Sequence, residues 1–232
     1  MSNRVNKKWY VRWWAITIYL LVAVMIIVFL AIPLPTTNGS YEELITSLKQ
    51  GNKELTSEEK EALLDENNPR MGGKEAEVTI VGFFSFDCPG SQAMHSAIRE
   101  IGVNYADDVT IIHRDFPATE NAIRYSLAAR CAGEQEKFWP MYDRLFQQNE
   151  LKPDKIHSLA QRLNIDTEQF QECMEGAKYM EEITQDMKDG KKLGVQGSPT
   201  TFINGYKIGK PIPRDIFMSI IETITDTENR TE

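Results

Sequence analysis

An apolar run ends in a thiol at "FFSFDCPGS", residues 83–91. Cys88 in this setting is a candidate nucleophile, because a thiolate attacks a disulfide sulfur and forms a mixed disulfide. A Cys-x-x-Cys pair would supply a second thiol at position 91 to resolve that adduct. Position 91 is Ser91. The spacing therefore permits the first half of thiol–disulfide exchange and leaves the second half to another thiol. Pro89 suits the first turn of a helix. A sulfur at that helix start would meet unpaired N–H groups and the positive end of the dipole, and both favour the thiolate. Ser91 is placed to donate a hydrogen bond to it, whereas the negative charge of Asp87 opposes it.

The chain has three cysteines. Cys131 and Cys173 each fall on an apolar helix face, where two readings stand: buried free thiols acting as small hydrophobes, or a structural disulfide. His95 lies seven residues after Cys88, on roughly the same helix face, and reads mainly as a surface residue. His113 and His157 are isolated, and no cluster has metal-ligand spacing.

These residues need elements to hold them. "AEVTIVGFFSF", 76–86, is β-branched and aromatic and reads as a buried strand running into Cys88. Helical spacing follows to about residue 105, and "DVTIIHRDF", 108–116, is a second strand, so a parallel βαβ unit is expected. From about 119 to 190 apolar residues recur at three- and four-residue spacing, with Asp154 and Asp166 near helix starts. "GSPTTFINGYKIG", 197–209, returns to strands around an Asn204-Gly205 turn, and a helix closes the fold. Before the first strand, "NNPRMGG" reads as a break. Helices are expected over 41–50 and about 57–66, the second with Thr56 as cap and Glu59 three residues on. They would form a stalk or pack on the domain edge.

The first 40 residues carry four basic residues and no acidic one; the rest carries 22 basic against 34 acidic. So acidic a domain is a poor candidate for nucleic-acid binding. Residues 13–32 hold no charge, and twenty residues at about 1.5 Å rise match a bilayer core of about 30 Å. The run is longer than a signal-peptide core and has a poor cleavage site. One transmembrane helix is therefore expected. The basic residues Arg4, Lys7, Lys8 and Arg12 all precede it, which puts residues 1–12 in the cytoplasm and everything after Pro33 outside. Residues 33–66 would then be a linker or stalk, 67–225 the domain and 226–232 a tail. Disulfides persist in oxidising compartments, so the cysteines there read as redox-relevant.

The order βαβ, helical block, ββ hairpin and helix, with Cys-Pro after the first strand and Ser198-Pro199 before the hairpin, resembles the DsbA-like branch of the thioredoxin fold. "HRDFP", 113–117, "AARCAGEQEKFW" and "GVQGSPTTFINGYKIG" resemble further landmarks of that family in the same order. The resemblance implies an α/β thioredoxin-like fold with a helical insertion at about 119–190. It also implies a cis Pro199 whose loop pairs with the substrate chain, and a disulfide between Cys131 and Cys173. Two departures stand out. The second active-site cysteine is Ser91, and the acidic residue often found on the strand leading to the site is Gly82. In the family that carboxylate is thought to serve the second cysteine, so the two losses are consistent.

The expectation is thus a membrane-anchored, outward-facing thiol–disulfide oxidoreductase or isomerase with one catalytic cysteine. Cys88 would be the nucleophile, Ser91 would tune it, and Pro89, Ser198 and Pro199 would position substrate. Exported proteins with cysteines or disulfides would be substrates, a thiol partner would act in trans, and no dissociable cofactor is implied. The alternative is a redox-inactive binding or chaperone-like module of the cell envelope.

Overall fold

The computed structural model describes residues 16–22, 25, 56–148 and 152–228. The chain divides into two units, Met1–Glu43 and Leu44–Glu232. In the first, residues 16–22 are helical and carry exposed apolar side chains, among them Tyr19 and Leu21. Most of the expected span at 13–32, the N-terminal residues 1–12, the linker and helix expected between 33 and 55, and tail residues 229–232 lie outside the described residues. Among the described residues no helix is long and apolar enough to cross a membrane.

The second unit opens with α1 (Ser57–Leu63), started by the expected cap. The Thr56 hydroxyl accepts from the Glu59 N–H at 3.2 Å, and the Glu59 carboxylate accepts from the Thr56 N–H at 3.0 Å. These two bonds satisfy donors the first turn leaves unpaired. The helix packs on the domain rather than standing off as a stalk: Leu63 is buried with Val81, Phe83, Ile112 and Leu193.

Five strands form one sheet in the order β1-β3-β2-β4-β5. They are β1 (Arg70–Gly72), β2 (Val78–Phe84), β3 (Val109–Asp115), β4 (Thr200–Ile203) and β5 (Tyr206–Ile208). β2 and β3 run parallel and in register from Val78↔Val109 to Phe84↔Asp115, joined by α2 (Pro89–Asn104). β4 is antiparallel to β2, and β5 to β4. The tight β4–β5 connection needs two residues at positive φ, which Asn204 (46°) and Gly205 (83°) supply. The edge strand β1 arises where the sequence reads as a break; its three residues pair antiparallel with Ile112, Ile111 and Thr110.

Alternate residues of β2 face opposite sides. Ile80 and Phe84 join Ile98, Ile101, Phe217 and Ile221 from α2 and α8 (Arg214–Glu228) in the larger core. Val81 and Phe83 face the smaller core with Phe202. Each such fully buried side chain contributes about 1.5–3 kcal/mol.

The helical insertion comprises α3 (Glu120–Gly133), α4 (Phe138–Phe146), a short 3₁₀ turn at Pro153–Lys155, α5 (Ile156–Arg162), α6 (Thr167–Glu175) and α7 (Met180–Lys192). Thr119 caps α3 by accepting from the Ala122 N–H at 3.0 Å, and Asp166 caps α6. After Asp166 the pattern divides into α6 and α7, with Ala177 at φ 47° between them. Cys131 on α3 and Cys173 on α6 are bridged, with Cα atoms 5.8 Å apart and a sequence separation of 42. Closing a loop of that length stabilises by about 4 kcal/mol in the chain-entropy model, less any strain.

A buried ionic cluster ties the insertion and α1 to the end of β3. Arg114, 0% exposed, donates to Asp186 at 2.6 Å, to Asp189 at 2.8 Å and to the C-terminal carbonyls of α1 at Ala62 and Leu63. Arg130 donates to Asp115 at 2.6 Å, to Asp186 at 2.5 Å and to Asn68 at 2.8 Å. Burial alone would push a carboxyl up. At Asp115 that push is outweighed by the Arg130 guanidinium and His113, which hold it well below its ordinary value of 3.8. At Asp186 burial prevails over Arg114 and Arg130 and pushes it up to about 6.

Candidate active site

Past Phe84 the chain turns, with the Cys88 N–H donating to the Ser85 carbonyl at 3.1 Å. Cys88 then occupies the N-cap of α2 in an extended conformation, and Pro89 takes the first helical position. Proline fits there because its missing N–H would have no partner. The Cys88 thiol is half-buried and donates to the Ser198 carbonyl oxygen at 3.1 Å. The Ser198–Pro199 peptide is cis. The other two cysteines are bridged, so Cys88 is the one free thiol of the chain.

Ser91 is buried at 1% exposure, and its hydroxyl shares a 2.7 Å hydrogen bond with the Ser198 hydroxyl. The structure thus pairs Ser91 with the cis-proline loop, where the spacing alone had suggested the Cys88 sulfur. Gly90 closes the same contact. A Cβ there would stand 2.8 Å from Pro199 Cδ and 3.0 Å from Pro211 Cγ. A glycine at this position is what lets the helix start approach the loop. Beside it opens a cleft of about 420 Å³ whose lining includes Gly197, Ser198, Pro199, Lys207 and Pro211.

The departure at Gly82 also has a structural counterpart. Gly82 sits between His113 on β3 and Thr201 on β4. A Cβ on it would fall 1.9 Å from Phe84 Cε2. The Phe84 ring, stacked on His113 with centroids 5.9 Å apart, fills the space that a side chain at 82 would need.

None of the three histidines bonds the sulfur. His95 meets Asp143 at 3.1 Å and lies against Tyr142 and Phe146, fastening α2 to α4. His113 is buried with Nε2 3.2 Å from Asp115, and His157 is on the surface beside Gln161. Sequence reasoning missed the support of Asp87. Its carboxylate accepts from the Ser85 hydroxyl at 2.5 Å and from the Thr119 hydroxyl at 2.6 Å, joining the active-site turn to the start of the insertion. The one available signal was Thr119 as a helix cap.

A lone thiol at a helix start, facing the carbonyl before a cis-proline on this sheet, defines a thioredoxin fold of the thiol–disulfide oxidoreductase type. Residues 64–223 match the family model described as thioredoxin, and the chain belongs to that family. The thiol–disulfide exchange protein alpha-DsbA2 from Wolbachia pipientis superposes with a TM-score of 0.65 at 18% identity, covering 80% of this chain and 98% of that one. That likeness speaks to fold alone. A putative protein-disulfide oxidoreductase from Rickettsia bellii is 24% identical over 177 residues, 72% of this chain and 68% of the relative. The Na(+)/H(+) antiporter NhaA 3 of Salinispora tropica is 36% identical over 140 residues, 59% of this chain. The chain spans about a fifth of the length of such antiporter relatives.

Proposed function

We propose that this protein is a membrane-anchored, outward-facing thiol–disulfide exchange protein that works with the single nucleophile Cys88. The reading rests above all on the Cys88 sulfur lying 3.1 Å from the Ser198 carbonyl, directly before cis Pro199. In the exchange the Cys88 thiolate attacks one sulfur of a substrate disulfide. A new sulfur–sulfur bond forms, the old one breaks, and the substrate's other sulfur leaves as a thiolate. Ser91 has no thiol to reverse this. An incoming thiolate, from the substrate itself, a small thiol or a partner with a complete dithiol, attacks the mixed disulfide and frees Cys88. The chain thereby reshuffles disulfides without storing one between 88 and 91. Ser198 and Pro199 align the substrate backbone as an added strand, with Pro89 and Gly90 flooring the approach. The uncharged run 13–32, with its four basic residues on the N-terminal side, supports an anchor that leaves the domain outside. Exported proteins with cysteines or disulfides are the substrate class.

The test is a scrambled-disulfide peptide incubated with the full chain in neutral detergent micelles, with adducts read by mass. The wild type should trap peptide at Cys88 and speed reshuffling when a small thiol is added. Cys88→Ala should do neither. If Cys88→Ala reshuffles as well as wild type, or if it binds peptide equally while neither form exchanges, the redox-inactive binding module replaces this reading.

A further inference from the structure

Asp87 immediately precedes the nucleophile and is exposed. An exposed carboxylate ordinarily samples several rotamers, but this one is held at both oxygens. Ser85, at the end of the β2 turn, donates to Oδ1, and Thr119 donates to Oδ2 while its own oxygen caps α3. Both donors are neutral hydroxyls. Among the described residues no lysine, arginine or histidine forms an ion pair with Asp87. A carboxylate held by two hydroxyls and without an ion-pair partner among the described residues therefore stands one residue before Cys88 in the chain. Glu120, exposed and next to Thr119, adds to it. The cation of the neighbouring cleft, Lys207, is engaged with the Leu193 and Gly194 carbonyls.

We propose that Asp87 is a specificity-determining residue: its fixed carboxylate selects disulfides that carry positive charge near the sulfur, as in basic peptides, over anionic small-molecule disulfides. This rests on the exchange reading above and deepens it. Asp87 makes and breaks no bond. It acts on the approach of the charged partner, while the electron pair moves from the Cys88 thiolate to the attacked sulfur and on to the leaving thiolate. The result is discrimination, which like charges near a reacting centre provide by repelling the wrong partner.

The experiment measures mixed-disulfide formation at Cys88 of the full chain, in neutral detergent, with three small disulfides. Cystamine is cationic, 3,3′-dithiodipropionate anionic and 2-hydroxyethyl disulfide neutral. Each rate is divided by that probe's rate with a small thiolate that bears no other charged group, which removes intrinsic reactivity. A unit charge about 6 Å from a carboxylate in water alters a rate about threefold. The two charged probes respond in opposite senses, so the expected cationic-to-anionic ratio is about tenfold at low salt. It should shrink as salt rises, because screening shortens the reach of exposed charges. Asp87→Asn should bring the ratio close to that of Glu120 alone, and Asp87→Glu should restore part of it. A merely structural role for Asp87 would change all three rates together and leave the ratio and its salt dependence in place. Cys88 reacting with the neutral probe at a charge ratio of one, or a ratio that survives Asp87→Asn, overturns the inference and leaves exchange standing. Silence of Cys88 toward all three probes overturns both.

Discussion

Two polar constellations sit at the ends of adjacent parallel strands. At the end of β3 stand Arg114 and Asp115, joined with Arg130, Asp186 and Asp189 in one buried set of ion pairs. After β2 come Cys88, Ser91 and Ser198, whose contacts are hydrogen bonds of sulfur and hydroxyl groups, with the sulfur half-open to solvent. By charge density the first looks more like an active site. Its donors are already spent, however, on carboxylates and on the α1 carbonyls. The second keeps a half-buried thiol against a backbone carbonyl, which the exchange proposal reads as nucleophile and substrate guide. Perturbed carboxylates mark structure here: the shifted groups Asp115 and Asp186 are buried among their partners.

The contrast can be broken hardest in the ionic cluster. Asp186→Ala leaves two guanidiniums buried with fewer partners and should cost about 3–5 kcal/mol, read as a lower urea midpoint, while the folded fraction keeps its exchange at Cys88. Removing the bridge with Cys131→Ala and Cys173→Ala should cost up to about 4 kcal/mol by the same measurement. The cluster also sets an acid limit. The Asp115 carboxyl is depressed in the folded state, so its stabilisation is full above its ordinary value of 3.8 and is lost as pH falls toward the folded value. Asp115→Asn should flatten stability against pH below that point. Gly90→Ala acts on the other constellation. Its Cβ meets two rigid proline rings and should cost about 1–3 kcal/mol, seen mainly as slower adduct formation at Cys88. The smallest effect is expected from Ser91→Ala, about 1 kcal/mol for the lost bond to Ser198. A Ser91→Cys variant would sharpen the comparison: an added disulfide oxidant should close an internal 88–91 disulfide, detectable as the loss of two hydrogens in mass. An unchanged mass under oxidising conditions would count against the geometry given for the loop.

Much of the scaffold was legible because it is written in local patterns. The strands around Cys88, the Thr56–Glu59 box, the Asn204-Gly205 turn and the Cys-Pro helix start all depend on neighbours within a few residues. β1 was not, since Arg70–Gly72 has no strand pattern and gains its state from pairing with β3. The ionic cluster was equally hidden. Arg130 sits on an otherwise apolar helix face, and its partners lie 15 and 56 residues away in sequence. Asp186 and Asp189 have the spacing of an ordinary solvated helix face. The bond between Ser91 and Ser198 joins residues 107 apart, so spacing within the Cys88 loop pointed to the nearer sulfur instead.

The Phe84 ring lying over Gly82 bears on which single changes this fold accepts. A cysteine at position 91 takes one substitution. An acidic residue at 82 takes more, because a Cβ there would stand 1.9 Å from Phe84 Cε2 and the ring must first give up its stack on His113. A variant given the dithiol alone would carry it without a carboxylate at 82, and adding that carboxylate would begin by disrupting a filled core. The aromatic ring thus makes the two changes unequal: one is open to a single step, and the other is barred until Phe84 moves.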